Sequence, residues 1–198
     1  MDNRGFFYKQ LYPLQDRILK TIRQADTGFY LTGGTAASRG YLQHRFSDDL
    51  DFFVNDDERF GLWVARIIEA LLQSGNKDWQ CQVLMKETRY AHLNLVTDKL
   101  QLKIEMVNDV PARVGQVRDD PILGWLDTAE NILANKVTAL LDRAEPKDLA
   151  DIWGFCSKMD LSLLVAITNA ESKAAGTPLP ITSPKMISRQ RLGCSRNS

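Results

Sequence analysis

The sequence lacks an excess of charge of either sign: 25 Lys and Arg stand against 25 Asp and Glu. A formal net charge of zero creates no long-range basic field, so any nucleic-acid partner would have to be held by a local patch. Cysteine is scarce. Cys81, Cys156 and Cys194 are far apart and lack the C-x-x-C spacing of zinc and redox sites, so they read as plain thiols in a reducing compartment. No uninterrupted apolar run is long enough to cross a bilayer, and the opening residues Met1 to Gly5 lack the apolar core of a signal peptide. A cytoplasmic protein with no membrane partner is expected. Internal repeats and low-complexity tracts are also missing. What is present is ordinary for a globule: 198 residues, 44% hydrophobic and 25% charged, suit one domain or two closely packed subdomains with a real core.

The apolar pattern sets the expected elements. Leu11, Leu14, Ile18 and Ile22 recur at three and four, which predicts a leading helix from about Phe6 to Gln24, with Pro13 at a start or kink. Phe29-Tyr30-Leu31 predicts a strand that stops at a glycine turn, with a helix from Thr35 to about Gln43. A second strand is expected at Leu50–Val54. A helix follows from about Glu58 to Gln73, with Trp63, Ile67 and Leu71 on its apolar face beside Val64, Ile68 and Leu72, and Ser74-Gly75-Asn76 ends it. Three further strands are predicted at Gln80–Met85, His92–Val96 and Leu100–Val107. Beyond Pro111 the pattern changes. Pro121 and Gly124 mark loops, Thr128 opens a long helix, a second spans about Lys147 to Met159, and a third begins near Asp160. The expected organisation is an α/β core with its leading helix at 1–110, a helical subdomain at 111–176 and a loosely ordered tail at 177–198.

The stretch that carries chemistry runs from Phe29 to Val54. Gly33-Gly34 after a strand permits a tight turn and close backbone approach to a phosphate, and the amides opening the next helix favour an anion. Thr35 adds a hydroxyl donor. Asp49 and Asp51 are two apart on an extended segment, so both carboxylates project from one face while Leu50 and Phe52 face the core. Oxygen ligands so placed suit a hard divalent ion, magnesium or manganese, shared with a nucleoside triphosphate. Glu105, in a later predicted strand, completes the metal set if that strand neighbours Asp49, and is also a candidate base. His44 and Arg45 are read as organisers of the loop before the catalytic strand, and Ser47 as a local backbone-bonding residue.

The residues Gly33-Gly34-Thr35-Ala36 and His44-Arg45-x-Ser47-x-Asp49-Leu50-Asp51-Phe52-Phe53 resemble the signature of the AbiEii/AbiGii-toxin-like nucleotidyltransferases of the DNA polymerase beta-like superfamily. The likeness extends to Ile132–Arg143 and to Pro146-Lys147-Asp148-Leu149-Ala150-Asp151-Ile152, which resemble the family's later motif. This resemblance implies a mixed sheet flanked by helices and a C-terminal helical subdomain, with the nucleotide in the cleft between them. It further implies that Lys136 contacts phosphates and that Lys147, Asp148 and Asp151 lie near the site, Asp151 among its catalytic residues. From the residues alone, Asp148 and Asp151 share a helix face, which fits either capping or a site.

The implied activity is transfer of a nucleoside monophosphate from a triphosphate to an acceptor. The family includes toxins of type IV toxin–antitoxin (abortive infection) systems, so tRNA or another RNA is the expected acceptor and a cognate antitoxin an expected partner. Two other functions stay open at this stage: an enzyme of the same core with an aminoglycoside-type acceptor, and a catalytically silent nucleotide- or partner-binding module. A basic RNA surface would draw on Arg39, Arg45, Arg89, Arg113, Arg118, Lys136, Arg143 and Lys147 if these converge.

Overall fold

A computed structural model describes residues 3–75, 78–142 and 145–175. The expectations for Asn76, Arg143 and the tail from 177 lie outside the described residues. The leading helix is α1 (Asn3–Phe6) and α2 (Tyr12–Gln24), joined by a π-helical segment at Phe7–Leu11. Strand β1 (Tyr30–Thr32) runs directly into the helical turn α3 (Gly33–Thr35), which widens into a π-helix at Ala36–Leu42. Gln43, at φ +49°, closes it with an N–H bond to the Ser38 carbonyl. Then come β2 (Leu50–Asn55), α4 (Phe60–Gly75), β3 (Gln80–Lys86), β4 (Tyr90–Val96) and β5 (Gln101–Asp109). Two short strands, β6 (Arg118–Asp120) and β7 (Gly124–Leu126), precede the helices α5 (Ala129–Asp142), α6 (Pro146–Lys158) and α7 (Leu163–Ala174).

The strands form one mixed sheet in the order β3-β4-β5-β2-β1-β7-β6. β2 pairs parallel with β5 and β1 parallel with β7, while the other neighbours are antiparallel. The expected α/β class, with helices following the core, is what the structure shows. One correction concerns residues 118–126. Pro121 and Gly124 do not mark plain loops; they form the tip of a hairpin whose strands extend the sheet beside β1. Asp120 shapes that tip by accepting from the N–H groups of Ile122 and Leu123.

Alternation along the central strands divides the sheet into two faces. Leu50, Phe52 and Val54 of β2, with Leu102, Ile104 and Met106 of β5, are buried in one core with Ile18, Leu19 and Ile22 of α2 and Trp63, Val64, Ile67 and Leu71 of α4. Leu72 departs from the expected apolar face and is exposed. The residues between them, Asp51 and Phe53 on β2 and Glu105 and Val107 on β5, look instead onto a cleft under α5. The C-terminal helices are set by local signals: Thr128 Oγ1 accepts from the Asn131 N–H at the start of α5, Pro146 occupies the first turn of α6, and Ser162 caps α7.

Candidate active site

The glycine turn and the acidic strand are built against each other. Gly33 has φ +65°, a left-handed conformation that costs glycine least, and a side chain there would land on the Asp51 carboxylate. A Cβ on Gly34 would stand 2.8 Å from Arg45 Nη2 and 2.9 Å from Ser47 Oγ. Both glycines therefore serve close approach to other parts of the site as well as the turn. Thr35 differs from expectation. Its hydroxyl is buried and donates to the Asp49 carbonyl, which fixes the segment entering β2 and leaves that proton unavailable to a phosphate.

Asp49, Asp51 and Glu105 converge. The parallel register puts Asp51 opposite Glu105, and Lys103 Nζ lies 3.2 Å from Asp49 and 2.8 Å from Glu105. Burial, then the Glu105 and Asp49 charges, push the Asp51 carboxyl up to about 6, against the pull of Lys103 and Lys136. Asp49 is raised mainly by burial, opposed by Lys103. Burial also disfavours ionised Glu105, but hydrogen bonds from Lys103 and Tyr90 outweigh it and lower its pKa. The donor set is all oxygen, which fits a hard divalent cation. Among the described residues, no three acidic, histidine or cysteine groups are already closed around an ion position; the Lys103 ammonium lies between two of the carboxylates.

The cleft has a volume of about 220 Å³, and Thr32, Gly33, Asp51, Glu105 and Lys136 line its polar end. Lys136 projects from α5, 7% exposed, with Nζ 2.6 Å from Asp148 Oδ1 and 3.0 Å from Asp151 Oδ2. Asp151 is fully buried and accepts a forked pair from Arg45, Nε at 2.7 Å and Nη2 at 2.8 Å, while His44 Nε2 lies 2.9 Å away. Burial opposes ionisation of Asp151, but the bonds from Arg45 and the Lys136 charge outweigh it and lower its pKa. Burial lowers the His44 pKa against the pull of the Asp151 carboxylate, and so favours the neutral imidazole. Asp148 and Asp151 thus tie α6 to α5 and to the loop before β2, and they stand behind Lys136, not on the cleft wall. Lys147 is exposed and paired with Glu145 at 3.0 Å, within electrostatic reach of Asp49.

Among the described residues, the other basic side chains named for an RNA surface are each engaged within the fold. Arg39 pairs with Asp16, Arg89 with Asp56, and Arg118 with Asp120 and Tyr41, while Arg113 lies over the Tyr30 ring. Sequence reasoning missed Lys103, Tyr90 and a buried polar chain. In that chain Thr32 donates to Asp127 at 2.7 Å, Asn131 bonds both Asp127 oxygens, and Lys173 of α7 donates to Asn131 at 3.0 Å. Lys103 was readable, since it shares a strand face with Glu105. The partners of Lys173 were not, because they lie far away in sequence.

None of the curated proteins matches the chain. Among solved structures, a putative nucleotidyltransferase from Helicobacter pylori superposes with a TM-score of 0.61 at 20% identity, over 88% of this chain and 78% of that one. JHP933 from Helicobacter pylori gives 0.59 at 20% identity, over 83% of this chain and 72% of that one. MenT4, a nucleotidyltransferase toxin of Mycobacterium tuberculosis, gives 0.61 at 21% identity, over 88% of this chain and 66% of that one. These likenesses establish a shared fold. A family model described as nucleotidyl transferase AbiEii toxin, type IV TA system, matches residues 17–192. With nearly the whole chain inside that match, the protein belongs to the AbiEii family of nucleotidyltransferase toxins.

Proposed function

We propose that this nucleotidyltransferase moves a nucleoside monophosphate from a triphosphate to an RNA acceptor, tRNA foremost, with a divalent cation held by Asp49, Asp51 and Glu105. The observation that carries this reading is the convergence of those carboxylates beside the Gly33 turn, with Asp51 and Glu105 lining the cleft under α5. Magnesium or manganese bound there would supply Lewis-acid stabilisation of charge on the phosphoryl oxygens.

The chain's own residues do the rest. The amides opening α3 and the positive end of the helix it begins favour the phosphates. Lys136, held at the cleft by Asp148 and Asp151, offsets negative charge on the triphosphate, and Lys147 adds positive potential near Asp49. Asp151 is a positioning residue that keeps Arg45 and His44 packed behind the Gly34 turn. Glu105, hydrogen-bonded to Tyr90 and Lys103, stays ionised and oriented to accept a proton from the attacking hydroxyl. A cognate antitoxin is the proposed partner, and the cytoplasm, which holds both triphosphates and RNA, is the proposed setting.

The test is transfer of label from each of four α-labelled triphosphates into total cellular RNA, purified tRNA or a panel of aminoglycosides, with wild type beside Asp51→Ala. Label in tRNA from wild type alone is expected. Label confined to aminoglycosides would move the reading to a small-molecule acceptor, and transfer that survives Asp51→Ala would overturn the site.

A further inference from the structure

Past the carboxylates the cleft continues into an apolar slot, with Phe53 and Val107 on the sheet side and Ile132 and Ala139 on α5. Asn135 lies on the same face of α5, a turn from each of those two residues. A neighbouring recess of about 290 Å³ shares Phe53, Asn135 and Ala139 with the slot and ends at Lys173.

The side chain of Asn135 cannot be turned either way round. Its Oδ1 accepts from Lys173 Nζ at 2.5 Å. Reversed, the amide would point an NH2 group at an ammonium, donor against donor. Lys173 is itself fixed, 5% exposed, with Asn131 Oδ1 at 3.0 Å and an Asp109 carboxylate oxygen at 3.5 Å. The amide is therefore locked with its nitrogen directed away from the lysine. That nitrogen, Nδ2, is buried and has no hydrogen-bond partner among the described residues. A donor left unmade in such a place is costly.

We propose that Asn135 selects the nucleobase, donating from Nδ2 to a carbonyl oxygen of a base held in the apolar slot, and that Lys173 is the positioning residue that sets the amide for this. The inference rests on the reading of the cleft as the triphosphate site. Uracil, cytosine and guanine carry a carbonyl and adenine carries none, so ATP is the disfavoured triphosphate. GTP and ATP, equal in base size, form the decisive pair.

Equilibrium binding of all four triphosphates to the full chain, measured by calorimetry with manganese, needs no acceptor and so tests the inference apart from the transfer reaction. Wild type is expected to bind ATP most weakly, about tenfold below GTP, the discrimination of one well-formed hydrogen bond. Asn135→Asp keeps the shape and the oxygen toward Lys173 but replaces the donor by an acceptor, and is expected to reverse the GTP:ATP order. Lys173→Met frees the amide to rotate and is expected to bring the ratio towards one while triphosphates still bind, which a merely structural lysine would not do. Circular dichroism of each variant separates misfolding from lost selection. Equal binding of GTP and ATP by wild type, or a ratio unchanged in a folded Asn135→Asp, overturns the inference and leaves the proposed function standing. Binding of no triphosphate by wild type overturns the proposed function itself.

Discussion

Asp51→Asn removes a charge that the fold holds against the preference of its surroundings. The Asp51 carboxyl is lifted from its ordinary 3.8 to about 6, first by burial and then by Glu105 and Asp49. A raised acid pKa means that the folded chain binds the proton more tightly than the unfolded one. The penalty is absent below pH 3.8, grows as pH rises towards 6, and is complete above it, at about 3 kcal/mol in full. Because Asp51 opens in part onto the cleft, the expected gain from Asn at pH 8 is about 1–3 kcal/mol in the metal-free protein. Urea unfolding in the presence of a chelator measures it, with wild type and variant compared from pH 8 downwards; the gap should close as the pH approaches 4. Millimolar magnesium or manganese should restore wild type relative to the variant, because a ligand of the folded state alone adds stability by mass action. A variant less stable than wild type at pH 8 without metal would refute the claim that burial and the neighbouring carboxylates disfavour the Asp51 charge.

Asp151→Ala should have the opposite sign: with Arg45 and Lys136 left buried beside an empty position, urea unfolding should show a loss of about 3–5 kcal/mol. Lys103→Met removes the ammonium between Asp49 and Glu105, so calorimetric titration at pH 8 should show manganese binding tightened several-fold and metal-free stability reduced; unchanged affinity would mean that Lys103 does not compete for the ion position. Gly33→Ala meets both a φ of +65° and the Asp51 carboxylate, so it should cost more than about 1 kcal/mol in unfolding and sharply reduce labelled-nucleotide transfer.

Much of the central sheet was legible because the alternation of β2 is unambiguous: Leu50, Phe52 and Val54 are buried and Asp51, Phe53 and Asn55 are not. The same period places Glu105 beside Asp51 once β5 is paired with β2, but only the fold supplies the pairing. The hairpin β6–β7 escaped notice since its strands are three residues each and β6 is Arg-Asp-Asp, too short and too polar to show a period. Strand β3 was recognised from its apolar residues, yet it is a sheet edge where Val83, Leu84 and Met85 are exposed, because burial there depends on a neighbour that alternation cannot supply. Asp148 and Asp151 show the limit of spacing arguments. Their shared helix face was visible in the sequence, whereas their partners on α5 and in the 44–45 loop are set by tertiary packing.

Those two acidic groups and the three at the cleft also show how charge separates scaffold from chemistry in this fold. Behind the glycine turn each buried carboxylate has a matching cation: Asp151 takes both Arg45 and Lys136, and Asp148 takes Lys136. On the cleft side Asp49 and Glu105 share the single ammonium of Lys103, and Asp51 faces two like charges that Lys103 and Lys136 offset only in part. A neutral residue at 51 would relieve that imbalance. A cation bound as proposed would relieve the imbalance, at the point where Gly33, having no side chain, lets the Asp51 carboxylate reach the turn. The under-compensated acids, more than their number, are therefore what supports the proposed active site on this face of the sheet.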